Sequence, residues 1–159
     1  MDKQSADRIK ELIESAARAD ASKKLEEQGE AQKRARFLQD FLKLRTEVIK
    51  PAFEDFANEI RKYDLNAGIN SQDAVVADRR EMLKNARIQI DIGKHANLGW
   101  GHLAFECLVD RLVVAAEWAP QREKPSETAI KKNLQLTDVS TALITETLVG
   151  MLEIMLTRK

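Results

Sequence analysis

One cysteine, Cys107, stands in the whole chain. No intrachain disulfide can form, so an oxidising compartment gives this fold no staple. Cys107 falls in an alternating apolar run, where a thiol behaves as a small buried hydrophobe. An excess of charge of one sign is also lacking: Lys+Arg and Asp+Glu are both 26, and the formal net charge is zero. Residues 1–65 carry 14 of each sign and residues 66–159 carry 12 of each. A general nucleic-acid or membrane-surface binder would show a basic excess. A strongly acidic partner surface is not implied either. The C-terminal apolar run is broken by Glu146 and Glu153, so it is not read as a membrane span. Met1-Asp2-Lys3-Gln4 opens a charged helix with no apolar h-region, and no signal peptide is expected. The expected compartment is the cytoplasm. Internal repeats of solenoid period and low-complexity tails are absent as well.

The motifs of chemistry are missing too. There is no CxxC, no HExxH, no GxxxxGK[ST], no strand–GxGxxG–helix order and no GxSxG. The sequence therefore assigns no catalytic residue, no metal site and no cofactor. Whether the chain is an enzyme is left open, with the balance against it.

What is present is helix, then alternation. An apolar content of 43% is enough for a core. At 159 residues the chain fits one domain with an appendage. Residues 1–30 are expected to be a helical arm, rich in Ala, Glu, Lys and Arg. Its apolar stripe, Ile9, Leu12, Ile13 and Ala16, then fades, and Gly29 is expected to end or loosen the helix. Such a helix is either frayed or ordered by a partner.

Residues 31–159 are expected to form a single α+β domain that includes a long helix over 31–65. One stripe of that helix is Ala31, Ala35, Leu38, Leu42, Ile49, Phe53, Phe56 and Ile60. A second is Phe37, Phe41, Leu44, Val48 and Ala52. At 100° per residue the two cover an arc of about 180°, where a surface helix needs little more than 100°. The excess points to two packing surfaces, and Phe37, Phe41, Leu44 and Val48 are expected to form a self-association ridge. Arg45 projects near the centre of this arc, either snorkelling to solvent or pairing across the interface with an acid such as Glu59. Pro51 is expected to kink the helix or begin a new one. Asn66 or Gly68 is expected to take a left-handed cap conformation at its end.

Residues 72–84 are ambiguous between a short helix capped by Ser71 and an irregular connection. Three alternating runs come next, and they predict an antiparallel meander of three strands. Ile88, Ile90 and Ile92 face inward from the first. Leu103, Phe105 and Cys107 do so from the second, and Leu112, Val114, Ala116 and Trp118 from the third. Asp110-Arg111 makes a tight hairpin between the last two. Thr128 to Leu134 adds an optional fourth strand, with Lys131 and Lys132 guarding the edge. A final helix starts near Thr137 or Asp138 and is apolar nearly all round, so it should be buried on several sides against one sheet face. This order, a helical stalk, a meander and a covering helix, resembles coiled-coil adaptor domains of the RWD type. The likeness is one of layout and implies no activity.

The leading functional expectation is a non-enzymatic interaction or scaffolding module that self-associates through its long helix as a homodimer, with a further protein partner as a second option. The alternative is a ligand-binding or catalytic domain using the loop 93–102, with His95, Trp100 and His102. His102 and Cys107 fall on opposite strand faces and do not converge on a metal. The weakest option is nucleic-acid binding through Lys33, Arg34, Arg36, Lys43, Arg45 and Lys50. Arg36, Asp40, Lys43, Glu47 and Lys50 alternate in sign at helical spacing, which describes an ion-paired solvated face instead. No aromatic is interleaved there to stack a base.

Overall fold

A computed structural model describes residues 2–76, 82–94, 97–120 and 130–157. The chain divides into two compact units, Met1–Arg36 and Phe37–Lys159.

The first helix, α1, runs from Lys3 to Leu44, so residues 3–36 belong to the first unit and 37–44 to the second. Asp2 caps it: Oδ1 accepts the Ser5 N–H at 2.7 Å, and that bond holds the carboxyl below its ordinary value. The helix passes through Gly29 instead of stopping there. A single helical glycine costs only about 1 kcal/mol relative to alanine, too little to end a helix this long.

Pro51 disturbs the helical ladder beyond Leu44. It lacks an N–H, and its ring crowds the carbonyl four residues back, at Glu47. A π-helical turn, Arg45–Ile49, accommodates it, with the Lys50 N–H reaching the Arg45 carbonyl. The next helix, α2, spans Lys50–Arg61 with Pro51 in its first turn. It ends in a turn where Asp64, not Asn66 or Gly68, takes the left-handed conformation (φ 63°). Arg61 braces that turn, donating to Asn58 Oδ1, Asn66 Oδ1 and the Ala67 carbonyl.

Asn66 and Gly68 instead lie in a strand, β1, Leu65–Gln72. Two short strands, β2 (Val75–Val76) and β3 (Met82–Lys84), pair with each other and replace the helix considered for 72–84. Residues 77–81 of that stretch lie outside the described residues. The meander is β4 (Arg87–Lys94), β5 (Asn97–Leu108), β6 (Val113–Pro120) and β7 (Ile130–Leu134). The main sheet is antiparallel and five-stranded, in the order β1-β4-β5-β6-β7. That is one strand more than the three or four expected.

The β5–β6 connection is a four-residue turn, and Leu112 adopts a left-handed conformation there (φ 52°). Leu112 is therefore exposed, not inward, while Val109 is buried. The other inward residues behave as their alternation requires: Ile88, Ile90, Ile92, Leu103, Phe105, Cys107, Val114 and Ala116 are buried, and Trp118 packs half-buried against the core.

After a 3-10 turn at Leu136–Asp138, the last helix, α3, spans Thr141–Thr157. Its cap is Ser140, whose Oγ accepts the Leu143 N–H at 3.1 Å. Asp138 closes the preceding turn through the Gln135 N–H. α3 buries one stripe, Ile144, Leu148, Met151 and Met155, and leaves Val149 and Leu156 exposed. It is thus less enclosed than its composition suggests. α2 and α3 both pack on the sheet and on each other. The Phe53 and Phe105 rings, 6.1 Å apart, join α2 to β5. The α+β arrangement expected from the sequence is the arrangement found.

Candidate functional site

The expected ridge is mostly absorbed by the chain's own fold. Phe41 is fully buried and Phe37 nearly so, while Leu44 and Val48 are half-buried against the same core. Arg45 does not reach for Glu59, which pairs with Lys62. Its Nη2 lies 2.8 Å from Asp73 Oδ1, and its Nη1 donates to the Gln72 carbonyl at 3.0 Å. Arg34, from the proposed basic helix, lies 4.0 Å from Glu30 one turn earlier.

The loop 93–102 is largely strand. β4 runs to Lys94 and β5 starts at Asn97. His95 lies outside the described residues. Trp100 is half-buried and packs against the core cluster. Gly93 is required by a close approach, because a Cβ there would collide with the Asn97 carbonyl.

His102 points to the sheet face opposite the helices. The register sets out this outer face in three rows. One row is Gln72, Arg87, Glu106, Ala115 and Asn133; the next is Asn70, Gln89, Ala104, Glu117 and Lys131; the third is Gly68, Asp91, His102 and Ala119. His102 Nε2 lies 3.4 Å from Glu117 Oε1, and Lys131 Nζ lies 3.9 Å from Glu117 Oε2. Gln89 bridges Arg87 and Asp91, accepting from the first and donating to the second. The alanines leave a shallow depression of about 250 Å³ between these longer side chains.

Chemically this is a network of complementary charges on a half-solvated sheet face. The imidazole–carboxylate contact is a polar pair, and among the described residues no nucleophile stands beside it. Among the described residues, no three His, Cys, Asp or Glu side chains are grouped to hold a metal ion. Cys107 faces the core, and burial pushes its thiol up to about 12, with Glu106 adding to the shift. Glu117 is the partner that inspection of His102 alone overlooks; the β5–β6 hairpin is the signal that finds it.

The first unit carries an exposed apolar stripe. Every described residue from 2 to 28 is exposed. Ile9, Leu12, Ile13 and Leu25 are among them, with Leu12 at 62% and Ile13 at 64%. Ile9, Leu12, Ile13 and Ala16 occupy one face at i, i+3, i+4 and i+7.

Among the described residues, no helix is long and apolar enough to cross a membrane. No family model matches the chain, and neither a curated protein nor a solved structure matches it.

Proposed function

We propose that the protein is a non-catalytic interaction module that self-associates through its first helix, most simply as a two-fold dimer. The observation that carries this reading is the exposed stripe Ile9, Leu12 and Ile13 on a helix whose residues 2–28 are all exposed. Helices in water draw most of their stability from packing an apolar face. A second copy supplies that packing without any other partner. Charge favours the same occupant. Residues 1–36 carry nine basic and eight acidic side chains, so two such helices meet almost no net repulsion.

The energies set the scale. Two copies bring six large side chains, each contributing roughly 1.5–3 kcal/mol when fully buried. Association costs on the order of 4–15 kcal/mol. A dimer at micromolar concentration needs a surplus of about 8 kcal/mol, which lies within the range these two terms span. Phe37 and Phe41 are not available to it, because they serve the core.

Circular dichroism across a dilution series tests the idea. Helicity should fall as the native chain is diluted through the micromolar range. The variant carrying Leu12→Glu and Ile13→Glu should start at the lower value and show no concentration dependence. Constant helicity in the native chain, matched by the variant, would count against self-association.

A further inference from the structure

A second apolar surface lies in the unit Phe37–Lys159. A furrow of about 350 Å³ runs between α2 and α3, on residues from Ala52 to Tyr63 and from Thr141 to Leu152. Each wall covers eleven residue steps, so the furrow is about 16 Å long, three helical turns. Phe56, Ile60, Val149 and Leu152 give it an apolar lining. Tyr63 and Val149 are more than half exposed, so this lining is open to solvent.

Its charged groups are of one sign. Asp55 and Glu59 stand along the α2 edge, Thr141 and Thr145 along the α3 edge, and among the described residues no Lys or Arg lines it. Glu59 is held by Lys62 at 2.9 Å, while Asp55 makes no ion pair among the described residues.

We infer that the furrow between α2 and α3 docks an amphipathic helix of another protein, with aliphatic side chains at i, i+4, i+7 and i+11 and Lys or Arg along the edge that meets α2. Shape argues for a helix: a three-turn furrow between two helices is completed by a third. Charge argues for a basic edge beside Asp55 and Glu59. The same charge argues against a second copy of this face, because two copies would bring four carboxylates and no basic lining side chain of the described residues to one seam. A small molecule fits poorly, since the lining is open to solvent at Tyr63 and Val149 and does not enclose a ligand. Docking here does not depend on self-association through the first helix.

Fluorescence anisotropy with the full chain tests it. Two labelled synthetic helical peptides share leucines at i, i+4, i+7 and i+11. One carries lysines along one edge, and the other carries glutamates there. The lysine peptide should bind, and the glutamate peptide should bind roughly tenfold more weakly or worse. Asp55→Lys with Glu59→Lys should reverse that preference. Val149→Asp should abolish binding of both peptides with an unchanged circular dichroism spectrum, and Tyr63→Ser gives a second, milder loss. Absence of binding by either peptide overturns the proposal. Equal binding of the two, or binding that survives both furrow variants, overturns it as well. A fall in the native oligomeric mass on Val149→Asp would place a second copy in the furrow and overturn the choice of partner.

Discussion

Arg45 Nη2 lies 2.8 Å from Asp73 Oδ1, so the π-helical turn is tied to the chain just beyond β1. The partners differ in burial: the Arg45 side chain is 15% exposed and that of Asp73 is 85% exposed. The guanidinium also holds the Gln72 carbonyl. Arg45→Met should therefore cost about 1–2 kcal/mol in urea unfolding, because it leaves that carbonyl short of a donor. Asp73→Ala should cost less than about 1 kcal/mol, since its carboxylate is screened by water. Arg45→Lys should not restore stability fully, as an ammonium cannot span both acceptors in the same fork.

Phe41 separates core from interface. It is fully buried among the chain's own side chains. Phe41→Ala should lower stability by about 3–5 kcal/mol. Phe41→Glu should unfold the Phe37–Lys159 unit instead of dissociating an oligomer. Near-ultraviolet circular dichroism reads the difference: a dissociated but folded variant would return Phe41 to the interface.

Cys107 makes stability depend on alkaline pH. Burial raises its thiol from an ordinary 9.0 to about 12 in the folded chain. Between those values the unfolded chain releases a proton that the folded chain keeps, so stability is lost as pH rises. The unfolding equilibrium should shift toward the unfolded state by up to about tenfold per pH unit from this group. The contribution of this one thiol is isolated by comparison with a chain that lacks it. The measurement is therefore the difference between native and Cys107→Ala chains in urea melts at pH 9 to 11, with the shallower slope in the variant.

Gly93 is fixed by contact. Because a Cβ would meet the backbone of Asn97, no side-chain movement can relieve Gly93→Ala. The hairpin joining β4 and β5 must shift, at a cost of about 1–3 kcal/mol. A lower thermal midpoint is expected, whereas Gly29→Ala, which meets nothing within 4 Å, should leave it unchanged or raise it.

The parts of the fold written as period-two alternation were legible, because a face buried by helices needs an apolar residue at every second position. Ile88, Ile90 and Ile92 illustrate this, and Lys131 and Lys132 do mark the edge strand β7. The two-residue loop expected at Asp110-Arg111 and the four-residue turn found both pair Leu108 with Val113. The register is the same in either case, and with it the proximity of His102 and Glu117. β1 was not legible. Asn66, Gly68 and Asn70 are poor strand formers, and pairing with β4 overrides their preference. The width of the apolar arc on α1 and α2 was legible, but its use was not. Periodicity gives the angle of Phe37 and Phe41, and only the packed fold shows that the chain's own core covers them. Arg45 found its acid 28 residues away, beyond any local spacing rule.

Light scattering at micromolar concentration, on the native chain and on the variant carrying Leu12→Glu and Ile13→Glu, tests self-association most directly. Docking through the first helix predicts a native mass near twice the 18.0 kDa of one chain, and a variant at 18.0 kDa that keeps its folded sheet. A native chain of monomer mass contradicts it, and so does a soluble variant that retains the native oligomeric mass.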